Sequence, residues 1–155
     1  MTAKSGGFMS VEQVVEKDEI LAIIVRHDFA QRGVAFFTPS DFSQQLGYMQ
    51  HPVGKIIQPH VHTASQRAVE YTQEVLFIRR GRLRVDFYSR EQRYLESRIL
   101  DAGDVILLAS AGHGFEVLED LEMFEVKQGP YVEQADKVRF DGISPEDAVV
   151  GGQES

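Results

Sequence analysis

The sequence predicts an all-β fold, and three observations carry that expectation. The stretch Arg82-Leu83-Arg84-Val85-Asp86-Phe87 alternates charged and apolar residues with the period of a pleated strand, which puts Leu83, Val85 and Phe87 on one face and the charges on the other. Turn residues at Gly81, Ser89–Gln92 and Ala102–Asp104 punctuate the chain at the spacing of an antiparallel β-sandwich or barrel. Ile20–Val25 is a continuous, largely β-branched run too short for an ordinary surface helix and suited to a buried strand.

With 155 residues, 43% of them hydrophobic, the chain reads as a single domain able to bury a core without disulfides. Residues 1–8 read as a mobile terminus, and Val11–Lys17 as either a short strand or one helical turn. Glu19–Phe29 holds the buried run and closes on His27, a position where a lone histidine serves more often as a surface or hydrogen-bonded residue than as a ligand. Gly33 breaks the chain and Val34–Phe37 resumes it. Thr38-Pro39-Ser40-Asp41 then turns it into a short helical turn at Asp41–Gln45, and Leu46–Gln50 runs on toward Pro52-Val53-Gly54. These N-terminal strands, residues 11–45, precede a barrel core at about 46–130. Within it strands are expected at Lys55–His62, Val69–Ile78, Arg82–Tyr88, Tyr94–Leu100, Val105–Leu108, His113–Leu118 and Glu122–Lys127. Residues 131–155 form a polar tail, with disorder expected over Val149–Ser155.

Sixteen basic against 24 acidic residues give a formal net charge of -8, which disfavours a nucleic acid or an anionic membrane as partner. The chain has no cysteine, so a bound metal would have to be held by His, Asp or Glu. Neither an apolar signal core nor a run of membrane-spanning length is present, and a cytoplasmic location is the expectation.

The chemistry-bearing residues cluster around Gly54–Gly81. If His60-Val61-His62 is a strand, both imidazoles face the same side. Glu74 opens the apolar run Val75–Ile78 and is positioned to add a carboxylate. Glu70, with Thr72 on the same strand face, is its competitor, and the spacing to Gly81 favours Glu74. Such a set suits zinc, iron, manganese or nickel.

With these residues the chain resembles the cupin superfamily. That family's first motif is a glycine, five residues, His-x-His, a spacer, Glu, six residues and glycine, matched here by Gly54, His60, His62, Glu74 and Gly81. Its second runs from a Gly-Asp turn to a histidine, matched by Gly103, Asp104 and His113. The resemblance spans about residues 46–130 and implies a double-stranded β-helix, or jelly-roll barrel, in which His60, His62, Glu74 and His113 are the four metal ligands. The chain departs from the family in having eleven residues between His62 and Glu74, Ala109 where proline is common, and no asparagine after His113.

Gln58 and Gln50 stand out as candidate substrate contacts, with Thr72 nearer the rim and Phe115 as an apolar wall; Glu70, Tyr48 and Lys127 are the candidate acid–base groups. Two functional readings follow. One is a metal-dependent enzyme (isomerase, lyase or dioxygenase) acting on a small polar metabolite such as a sugar derivative or an oxo- or hydroxy-acid. The other is a non-catalytic binding module that uses the same metal and pocket. The resemblance and the run Ile20–Val25, which offers a strand for sheet extension, also imply a homodimer.

Overall fold

The apolar runs form strands that the turns separate: β1 (Val11–Glu16), β2 (Glu19–Val25), β3 (Gly33–Phe36), β4 (Gly47–Gln50), β5 (Glu74–Tyr88), β6 (Tyr94–Asp101), β7 (Val105–Leu108) and β8 (Gly112–Lys127). The structure, a computed structural model, describes residues 10–132 and 137–152, and no helix occurs among them. The expectation for residues 1–8 lies outside that range. Of Val11–Lys17, left open between strand and helical turn, Val11–Glu16 is a strand and Lys17 begins the turn after it. The chain divides into two compact units, Met1–Phe29 with Thr72–Ser155 and, separately, Ala30–Tyr71.

In the first unit an antiparallel sheet runs β1-β2-β7-β5-β6, with β8 on the other edge of β5, and curls into a half-barrel. The run Ile20–Val25 lies in β2, between β1 and β7. Both of its edges are therefore taken, and it offers no strand for extension to a second copy, contrary to the sequence expectation. β5 organises the sheet. Its first half pairs with β7 and its second half with β6, while β8 follows it along its length. Two strands expected on each side of Gly81 and of Glu119-Asp120 are thus continuous. The ribbon creases at Gly81, whose φ is 87°, in the left-handed region that suits glycine; a Cβ there would lie 2.1 Å from the Asp120 carbonyl oxygen. The register shifts repeatedly between Ile78 and Leu83, and bulges of this kind bend and twist a ribbon.

Cross-strand partners share a face, so the pairing assigns the sides of the half-barrel. Leu83, Val85 and Phe87 are fully buried in the core and lie opposite Val117, Phe115 and His113. Leu76, Ile78, Ile106 and Leu108 extend the same core, with Ala22 and Ile24 from β2.

The other face of the second half of β5 is covered as well. Arg84 forms a two-pronged pair with Asp86, its Nε 2.8 Å from Oδ1 and its Nη2 3.1 Å from Oδ2. Glu116 adds a second carboxylate and the Ser97 hydroxyl donates to Asp86. The C-terminal segment closes over this side of the sheet: the Ile143 amide donates to the Tyr88 hydroxyl at 2.9 Å, Phe140 meets the Tyr88 ring edge-on, and Val149 and Gly151 bond to the Ser97 backbone at 2.8 and 2.9 Å. Two expectations are corrected here. The charges of β5 are not uniformly solvated, because alternation assigns a residue to a face without saying what covers that face. Val149–Gly152 is ordered against β6, and residues 153–155 lie outside the described range.

In the second unit β3 and β4 form an antiparallel pair, Gly33 opposite Gln50 and Phe36 opposite Gly47. The connection between them is not the expected helical turn, because the Gln45 amide donates to the Pro39 and Phe42 carbonyls at 2.8 and 3.0 Å and holds an irregular loop. Residues 51–73 contain no strand, so the strand expected at Lys55–His62 and the start of that at Val69–Ile78 are corrected. Pro59 removes a ladder donor in the middle of the first run, and Val61 is fully outside any core at 88% exposure.

Candidate functional site

Glu74 is the first residue of β5 and sits on the inner face with a side chain only 5% exposed. An isolated buried carboxylate is costly, so its partners define the place. Lys127 lies directly opposite it on β8. On the other edge of β5, Leu108 of β7 is the facing residue, and the short connection Ala109–Ala111, with a left-handed Ala111, starts β8 from that end. This brings His113 to Glu74, Nε2 lying 3.2 Å from Oε2, while the Lys127 and Lys137 ammoniums each stand 3.9 Å from Oε1.

The hydrogen bond from His113 holds the Glu74 carboxyl below its ordinary value, with His113, Lys137 and Lys127 adding charge attraction against the opposing effect of burial. Lys127 bonds Glu125 at 2.8 Å. That bond raises its pKa, so it stays an ammonium at neutral pH. Its ammonium is also 5.5 Å from the centre of the Tyr131 ring. Phe115 follows on the His113 face, the two rings 5.3 Å apart.

His60 and His62 belong to the second unit, in the exposed loop after β4, with ring centroids 5.2 Å apart and edge-on. The rings come together through the loop rather than through a pleat. His60 Nδ1 lies 3.0 Å from the Gln58 carbonyl, which can only accept, so Nε2 is the ring nitrogen that faces away from this bond. Thus Gln58 acts through its backbone. Gln50 ends β4 with an exposed side chain, Tyr48 is half-buried on the same strand, and Glu70 and Thr72 are exposed outside any strand. Within each unit the structure therefore joins Glu74 to His113 and Lys127, and His60 to His62. No group of three or more His, Asp or Glu that could hold a metal ion occurs among the described residues.

Lys137 was hidden in a tail read only as polar; nothing in its local sequence marks it, and it reaches Glu74 through the fold. Asp104, of the second motif, has a structural part: it is 1% exposed and accepts from Arg26, the His27 amide and the Asp101 amide at 2.8–2.9 Å. His27 is correspondingly a hydrogen-bonded residue, its Nδ1 3.2 Å from Asp104. No protein-family model, curated protein or solved structure matches the chain significantly. No helix long and apolar enough to cross a membrane occurs among the described residues.

Proposed function

We propose that the chain is a metal-binding cupin in which His60, His62, Glu74 and His113 hold a divalent transition metal, zinc, iron, manganese or nickel, within a double-stranded β-helix. In this reading it is an enzyme of the isomerase, lyase or dioxygenase type, acting in the cytoplasm on a small polar metabolite such as a sugar derivative or an oxo- or hydroxy-acid. The observation that carries the reading is the meeting of Glu74 and His113 on the inner face, from motifs nearly forty residues apart, with Lys127 beside them.

Two of the four donors, which share a hydrogen bond in this structure, have a separation compatible with such an ion. Neighbouring ligands of an octahedral site at about 2.1 Å from the metal lie about 3 Å apart, and Glu74 Oε2 and His113 Nε2 are 3.2 Å apart. When bound, the metal would supply a Lewis acid for substrate oxygens. The chain's own residues do the rest: Glu125 keeps Lys127 charged as an anchor, and Phe115 and Val117 continue the inner face as an apolar wall. That wall also favours the second reading, a binding module in which the same residues recognise a ligand without turnover. Two copies, if they pair, do so through a strand other than β2.

Metal analysis of protein purified without chelator or affinity tag tests the reading. His60→Ala, His62→Ala, His113→Ala and Glu74→Gln should each lose metal, and Glu70→Gln should keep it. Chelation should lower the melting midpoint by about 5–10 °C, since an ion at a hundred times its dissociation constant adds about 2.7 kcal/mol. A metal-free protein whose midpoint chelator leaves unchanged would overturn the proposal. Given bound metal, a metabolite screen for turnover separates enzyme from binding module.

A further inference from the structure

We infer that Lys127 and Lys137 make this site selective for a substrate bearing a carboxylate, an inference that rests on the metal reading above and narrows its substrate class. Both ammoniums approach the same oxygen, Glu74 Oε1, at 3.9 Å. That distance gives attraction without a hydrogen bond, so neither lysine's donors are used on Glu74. Lys127 places its hydrogen bond on Glu125, and the Lys137 side chain, 57% exposed, is accessible to a ligand.

Charge decides what such a ligand would be. Glu74 and Glu125 balance the two lysines in the metal-free protein. A divalent ion on Glu74 and His113 leaves the cluster with an excess of two positive charges beside a half-covered, partly apolar face. A neutral polyol would leave that excess uncompensated. A carboxylate bridging the two ammoniums neutralises part of it and supplies charge-assisted hydrogen bonds, roughly twice as strong as neutral ones. Because both lysines converge on one oxygen, one small anion can reach both. Lys137 is held there by the segment that follows it, through Phe140 and Ile143 against Tyr88, so anion recognition is built jointly by the end of β8 and the C-terminal segment.

Calorimetric titration with malonate, and with malonamide as its uncharged counterpart, tests this on the metal-loaded full chain, with metal content measured before and after. Malonate should bind on the order of tenfold or more tightly than malonamide, and Lys127→Gln and Lys137→Gln should each weaken malonate by roughly tenfold at unchanged metal content. Equal binding of the two probes, or undiminished malonate binding by the metal-loaded double variant, would overturn the inference and leave the metal site standing. A wild-type chain that carries no metal would overturn both, and metal analysis alone reveals that case.

Discussion

Two carboxylates on one strand meet opposite fates. Asp86, in the second half of β5, is gripped by Arg84 through two hydrogen bonds, receives the Ser97 hydroxyl, and lies beneath the C-terminal segment. Glu74, at the start of β5, is as well buried, yet its bases stand at 3.2 and 3.9 Å and two of them are lysines reaching in from partly exposed positions. Asp86 is committed: every strong donor around it is used, and moving any of them strands a charge in a covered place. Glu74 is surrounded by charge without being saturated by hydrogen bonds, which leaves it able to change partner. Burial alone does not separate a carboxylate locked by its partners from one free to change them; the length of its contacts and the freedom of its partners do.

The sharpest way to break this contrast is Asp86→Ala, which leaves Arg84 in a covered site with Glu116 as its remaining anion. We expect a loss of about 3 kcal/mol, a midpoint lower by roughly 6–12 °C, read by thermal and denaturant unfolding. A loss of about 1.5 kcal/mol or less would place Asp86 in the same class as Glu74.

Glu74→Gln in chelated protein should cost less, about 1.5 kcal/mol at neutral pH, the scale of a hydrogen bond to a charged group. The pH dependence gives the sharper readout. The folded Glu74 titrates below its unfolded value, so its contribution is complete above the ordinary glutamate value of about 4.3 and is lost as pH falls through the lower folded value. Stability of the variant should therefore decline less steeply than that of the wild type below about pH 4.5. Parallel acid limbs would show that Glu74 gains nothing from its three bases.

Tyr88→Phe should have the smallest effect. It removes the acceptor for the Ile143 amide while keeping the ring against Phe140, so about 1 kcal/mol should be lost with metal content unchanged. Faster amide exchange at Ile143 and Val149 than at β5 would locate the change in the C-terminal segment.

The sequence spoke clearly where local pattern and burial agree. Ile20–Val25 is a buried strand because a continuous apolar run has little alternative, and Leu83, Val85 and Phe87 line the core as their alternation required. It was less informative where the cause is distant. Nothing near Tyr88 or Ser97 announces that residues 140–151 will pack against them, and nothing near Lys137 points to Glu74. Around His60 and His62 the strand expectation meets Pro59, and a proline cannot donate to a ladder. The meeting of Glu74 and His113 came from motif positions and from no periodicity at all, since their closeness depends on β7 lying beside β5.

The crease at Gly81 also sets a rule for length changes. Before it the even-numbered Glu74, Leu76 and Ile78 face the core side, and after it the odd-numbered Leu83, Val85 and Phe87 do; across from them β8 keeps one parity, because residues 79–82 face the longer stretch 118–122. One strand is thus permanently a residue out of step with its partner, and the mismatch is absorbed at a single place. Deleting one residue between Arg79 and Arg82 would turn an entire half-strand inside out, placing Glu74 or Phe87 on the wrong side, whereas removing two residues from each strand at the crease would preserve both faces. Tolerance to insertion and deletion here is therefore a matter of parity rather than of size, and a scan of paired and unpaired deletions would read that parity directly.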